Sequence, residues 1–191
     1  MTRVVIVYHS GYGHTEAQAK AVNSGAASVV DVSSKLIKVE DIDNNWPELE
    51  NADAIIFGAP TYMGSASAKF KEFADKTSKF WMKQKFKDKI AAGFTNSGSQ
   101  SGDKLSTLIQ MSILAAQHGM IWVGLDLLPG NNSSKGSVED LNRIGSYLGA
   151  MAQSNVDEGP DKGPIKSDLL TAEKLGERVA KAAARWKKGG N

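Results

Sequence analysis

At 191 residues, with no cysteine and a formal net charge of +2, the chain can bury one full α/β core but not two comfortable domains, and disulfides, thiolate nucleophiles and Cys-ligated metals are excluded. Lys and Arg are scattered rather than striped, which argues against nucleic acid and against a polybasic membrane patch. The longest apolar runs are strand-sized and no N-terminal signal is visible, so a cytoplasmic protein without integral membrane contact is expected.

The first element is the most informative. Val4, Val5, Ile6 and Val7 form an unbroken β-branched run, the mark of a strand covered on both faces in a parallel sheet. It runs directly into Ser10-Gly11-Tyr12-Gly13-His14-Thr15. Ser10 and Thr15 supply hydroxyls, Gly11 and Gly13 let the backbone curl, and the alanine-rich segment from Thr15 opens a helix whose N-terminal amides face the loop. That arrangement suits a phosphate monoester. The loop lacks the lysine of a GxxxxGKS/T phosphate loop, and Glu16 stands where GxGxxG needs its third glycine, so the ATP-type and dinucleotide fingerprints both fail.

A weaker strand is expected at residues 36–39, followed by a solvated acidic stretch containing Asp41, Asp43, Glu48 and Glu50. The next strong strand, 54–58, leads into Ala59-Pro60-Thr61-Tyr62-Met63-Gly64. A helical pattern from Ser65 then places Ala66, Phe70, Phe73, Ala74 and Thr77 on one stripe. The strand at 90–94 opens onto a loop dense in amides and hydroxyls, residues 95–102. From Asp103 a further helix puts Leu105, Leu108, Ile109, Ser112 and Ala116 on its buried side and stops at Gly119. A strand at 120–125 precedes a long polar excursion, residues 129–164, which is functional or interfacial by its length. Tyr147, Leu148 and Met151 within it are expected to pack near a ligand or a neighbouring subunit. The last helix, about 168–188, buries Ala172, Leu175, Val179, Ala183 and Trp186; Trp46, Trp122 and Trp186 are all assigned to packing. Strands alternating with helices of this length predict a single α/β domain over residues 1–191, a doubly wound parallel sheet with helices on both faces.

Such sheets bind ligands outside the carboxyl ends of their strands, where the strand order reverses. The loops at 10–15, 59–64 and 95–102 converge there as a slot with a phosphate floor, flat apolar sides and polar edges. A flat heterocycle carrying one phosphate fits it, and flavin mononucleotide fits better than a nucleoside triphosphate; the redox chemistry would be the cofactor's own. Three histidines, two of them near the phosphate loop, leave no metal site to expect.

Three stretches resemble the WrbA-type flavodoxin-like NAD(P)H:quinone oxidoreductases: Tyr-His-Ser-Gly-Tyr-Gly-His-Thr-Glu from Tyr8, Ile-Ile-Phe-Gly-Ala-Pro-Thr-Tyr-Met-Gly from Ile55, and Phe-Thr-Asn-Ser-Gly-Ser-Gln from Phe94. Phe80-Trp81-Met82 and Gln117-His118-Gly119-Met120 are similar to two further family stretches. The likeness runs from about residue 3 to 124 and weakens beyond. It implies a flavodoxin-like five-stranded sheet of order 2-1-3-4-5. It also implies FMN phosphate contacts at Ser10, Gly11, Tyr12, Gly13, His14 and Thr15, with the ring held by Pro60, Thr61, Tyr62 and Met63 and by Asn96, Ser97, Gly98, Ser99, Gln100 and Ser101. Trp81 and His118 would stand over the open ring face, with Tyr12 bordering the nicotinamide, in a ping-pong transfer of two electrons from NAD(P)H to a quinone. A homodimer or homotetramer is implied as well. Two departures stand out: the 40–51 segment is short, and Tyr62-Met63 replaces the family's Arg-Phe, removing a cation that could pair with a nucleotide phosphate.

Two other readings share the fold. A flavodoxin-type one-electron carrier would dock on redox partners without turning over small molecules, but such carriers tend to be strongly acidic, which this chain is not. A non-redox FMN-binding or scaffold protein is the third.

Overall fold

The computed structural model describes residues 1–190. β1 (Thr2–Tyr8) lies between β2 (Val32–Lys38) and β3 (Ala54–Tyr62), and β5 (Ile90–Ser97) follows β3, all parallel. A two-residue strand, β4 (Ser65–Ala66), folds back antiparallel on the end of β3. The order expected for a doubly wound sheet is therefore present, with the point of reversal between β1 and β3.

Along β1, Val5 and Val7 enter the core shared with α3 (Ala68–Lys76) and α5 (Lys104–Gln117), while Val4, Ile6 and Tyr8 enter the one beneath α1 (His14–Ala27) and α6 (Lys166–Gly189). Both faces are dry, which is why β1 reads as a continuous apolar run. α1 and α6 cross at Gly25 and Gly176, where a Cβ on either residue would collide with the opposing backbone at Glu173 or Val22. α2 (Trp46–Glu50) and the short α4 (Ser78–Trp81) cover the other face, where Trp46 stacks on Phe73 and packs against Phe80.

Four details differ from the sequence-based expectation. The second strand is longer, Val32–Lys38, and Val39 already belongs to a 3-10 turn (Val39–Asn44). The fifth sheet position is split. β6 (Ile121–Trp122) pairs only with the start of β5, and β7 (Ala150–Gln153), inside the supposedly polar excursion, pairs with its end. The chain leaves the sheet after Trp122, whose indole N–H donates to the Leu148 carbonyl of the returning segment. Third, α5 buries Lys104, Thr107, Leu108, Met111 and Ala115, leaving Leu105 and Ile109 exposed. A stripe drawn from apolarity alone is rotated by about one residue, because Lys104 and Thr107 are buried to make hydrogen bonds under the strand ends. Finally, Trp186 is half-exposed: a 24-residue helix is about 36 Å long and outruns the sheet it covers.

Candidate functional site

The carboxyl ends of β1, β3, β5 and β7 surround a cavity of about 640 Å³, within the range of small-molecule and cofactor sites. Ser10, Tyr12, His14 and Thr15 line it from the first loop, Pro60, Thr61 and Tyr62 from the second, and Asn96, Ser97 and Gly98 from the third. The excursion supplies a fourth segment, not through Tyr147, Leu148 or Met151 but through Ser154, Val156, Glu158 and Gly159, immediately after β7. The signal for it was the alternation Ala150, Ala152 running into Ser154-Asn155, a strand opening on a polar loop as at the other three.

The first loop is built around an oxygen. Ser10 Oγ accepts hydrogen bonds from the N–H groups of Gly13 and Glu16, both at 3.1 Å. Gly13 can direct its amide there because it adopts φ 91° at the N-cap of α1, a left-handed conformation costly for residues with a Cβ. Among the described residues, the N–H groups of Tyr12, His14 and Thr15 have no protein acceptor. Unpaired amides at the positive end of a helix dipole make an anion site. No Lys or Arg lines the cavity. Lys20 and Lys38, on and facing the first turns of α1, pair with Glu16 at 3.1 and 2.9 Å. The orphaned donors thus fit a phosphate monoester bound by dipoles and hydroxyls alone.

His14 is held elsewhere: its Nε2–H donates to the Glu158 carbonyl at 2.9 Å, tying the phosphate loop to the fourth segment. One residue before the loop, His9 Nδ1 is 2.8 Å from Ser67 Oγ and Nε2 is 3.5 Å from Glu40 Oε1, and burial lowers its pKa. These contacts anchor the base of the loop.

The walls are flatter and less polar. Tyr62 meets Tyr12 edge-on at 6.3 Å, and burial raises the Tyr62 phenol. Beneath them Thr61 Oγ1 is 2.8 Å from both Thr95 Oγ1 and Thr107 Oγ1, a buried hydroxyl cluster that fixes the second loop to β5 and α5. Ser154 Oγ donates to Asn96 Oδ1 at 3.0 Å. Met63, expected to hold a ring, is wholly exposed at 103%, with φ 48° turning it away from the cavity. Ser99, Gln100 and Ser101 are exposed and lie outside the cavity lining.

Trp81 and His118 are not brought to this cavity. α5 starts at the loop after β5 and ends beside the start of β6, at the amino end of the sheet, and 14 residues span about 21 Å. His118 caps that far end. It lies with Thr77 and Trp81 around a separate hollow of about 250 Å³. The Thr77 hydroxyl donates to the Ala74 carbonyl, so His118 Nε2–H is the donor in its 2.8 Å contact with Thr77 Oγ1, and the buried Nδ1 has no partner. Packed on Phe86 at 4.9 Å, the ring has its pKa lowered by burial. Trp81 is 52% exposed. The expectation that these two cover the flavin is corrected at the level of a single chain, because the helices carrying them run away from the phosphate loop.

The sequence model of the family described as NADPH-dependent FMN reductase matches residues 29–132. Flavodoxin FldP of Pseudomonas aeruginosa is 46% identical over 182 residues, covering 95% of this chain and 96% of FldP. The NAD(P)H dehydrogenase (quinone) of Archaeoglobus fulgidus is 33% identical over 207 residues, covering 97% of this chain and 99% of its own. Among solved structures, the flavodoxin, WrbA-like protein from Agrobacterium tumefaciens is 40% identical with a TM-score of 0.77, covering 97% of this chain and 99% of that one.

Proposed function

The chain belongs to the family of NADPH-dependent FMN reductases, in its WrbA-type, flavodoxin-like branch, and from that premise we propose that residues 1–191 form one FMN-binding domain that passes two electrons from NAD(P)H to a quinone by a ping-pong cycle. The observation that carries this reading is the bracket of unpaired amides at the mouth of α1, set under a cavity with aromatic walls. Bound there, FMN supplies the hydride acceptance and donation; the protein supplies position and electrostatics. Tyr12, His14 and Thr15 hold the phosphate through their amides, with the Thr15 hydroxyl beside them. Ser10 keeps that bracket in shape, Pro60 and Tyr62 flank the ring, and Asn96 to Gly98 meet its polar edge. Among the described residues no helix is long and apolar enough to cross a membrane, and we place the protein in the cytoplasm, where reduced nicotinamides are supplied.

Trp81 and His118 enter this scheme only across a subunit contact. We therefore take the working protein to be a homo-oligomer in which the far end of one copy faces the cavity of another.

A second reading has one specific point in its favour. The relative at 46% identity is named a flavodoxin, and a carrier of single electrons needs no Trp81 or His118 near the ring. Anaerobic stopped-flow separates the two. The enzyme reading predicts rapid bleaching of the oxidised flavin band on adding NADH or NADPH and its return on adding benzoquinone. Bleaching over many minutes with both nucleotides would favour the carrier.

A further inference from the structure

Lys104 opens α5 with its side chain fully buried. Its ammonium donates to Ser97 Oγ at 2.9 Å and to the Ser99 carbonyl at 2.7 Å. Between these two, Gln153 Nε2 donates to the Gly98 carbonyl at 2.9 Å, and Gln153 is itself fixed through its N–H to Asp168 Oδ2. Two successive carbonyls of the loop after β5 are thus drawn toward the protein interior. Across a trans peptide the N–H points opposite to the C=O, so the amides of Ser99 and Gln100 are turned outward. Neither has a protein acceptor among the described residues. Ser97 and Gly98, next to them, line the cavity.

An aliphatic residue would fill this first-turn position without the desolvation that a buried ammonium suffers. Burial brings the Lys104 amine down to about 8, with Asp168 opposing the fall and Arg143 adding to it. A lysine kept at that disadvantage, bonded only to the loop that borders the cavity, points to a task in the loop.

Resting on the FMN reading above, we propose that Lys104 is a positioning residue for the flavin: it turns the amides of Ser99 and Gln100 outward at the edge formed with the cavity residues Ser97 and Gly98, and sets a positive charge behind that edge. Reduced, anionic FMN is then held more tightly than oxidised FMN. Where the phosphate loop has no cation, Lys104 places one behind the loop after β5.

The test compares wild type, Lys104→Met and Lys104→Gln loaded with FMN, reading the dissociation constant of oxidised FMN by fluorescence and the two-electron midpoint potential by dye equilibration. Lys104→Met is expected to lose about tenfold of the preference for reduced over oxidised FMN, a fall of about 30 mV, together with a several-fold weaker oxidised complex. Lys104→Gln, whose amide can still donate to the Ser99 carbonyl, recovers oxidised affinity but not the potential. Midpoints equal to wild type in both variants, with FMN bound, overturn the proposal; wild-type protein that takes up no FMN overturns the cofactor reading itself. Should both variants fail to fold, wild type decides. The charged groups facing Lys104 are Asp168 of α6 and Arg143 of the excursion, which pair with each other. The midpoint should then fall along a steeper segment beginning near pH 8 as the ammonium discharges, and an unbroken slope through that region overturns the proposal.

Discussion

Arg143 grips Asp168 with two hydrogen bonds, Nε to Oδ1 at 2.8 Å and Nη2 to Oδ2 at 2.7 Å, with both side chains buried. This pair joins the excursion to the first turn of α6, and Asp168 also holds the Gln153 amide of β7. Breaking a buried pair strands the remaining charge. Arg143→Ala is expected to cost about 3–5 kcal/mol in urea unfolding, and Arg143→Lys a large part of that, because the two-pronged geometry is lost. Unchanged stability would mean that the Gln153 amide suffices for Asp168.

Ser10 and Thr15 have different tasks, and two measurements distinguish them. Each alanine substitution should weaken FMN binding by about 1–2 kcal/mol, roughly tenfold in Kd, in a fluorescence titration. Only Ser10→Ala should also destabilise the protein without FMN, because two amides lose their acceptor. Equal thermal stability of the two variants would place Ser10 outside the scaffold role.

Acid sensitivity follows from the buried imidazoles. Burial lowers the pKa of His118 below the ordinary 6.5, and that of His9 likewise, with Glu40 opposing. Below about pH 6.5 the unfolded chain therefore binds more protons than the folded one, so stability is lost as pH falls through that window toward the folded-state values. His118→Gln removes one of the two contributions and should flatten the stability profile below pH 6.5. Identical slopes for variant and wild type would contradict the assignment.

The separation of Trp81 and His118 from the cavity makes a concentration-dependent prediction. Trp81→Ala should leave FMN affinity unchanged and slow quinone reduction only where the protein is associated. Sedimentation together with steady-state rates over a dilution series checks this. A rate loss that persists in fully dissociated protein would place Trp81 at its own chain's flavin by some rearrangement.

The strand ends were legible because their chemistry is local. Val4 to Val7 followed by Ser10 and two glycines states a buried strand, a tight loop and the mouth of a helix within a dozen residues. Pro60, Thr61, Asn96 and Ser97 followed from the same rule applied to β3 and β5. What escaped was set by distance. β7 hides in a polar stretch because only Ala150 and Ala152 mark its buried face, so the excursion's share of the cavity is expected at Tyr147, Leu148 and Met151 and found at Ser154 to Gly159. Nothing local shows that Lys104 reaches back to Ser97 and Ser99. Met63 follows three pocket residues, yet its backbone turns left-handed and carries it outward.

The proposed cofactor site binds a phosphate monoester at the mouth of α1 by amides and hydroxyls, with no cationic side chain lining the cavity. Its test is fluorescence titration of cofactor-free protein with FMN, set against riboflavin. Saturable quenching at one FMN per chain is expected, with riboflavin binding far more weakly because it lacks the phosphate. Riboflavin binding as tightly as FMN, or no quenching by either, would contradict it.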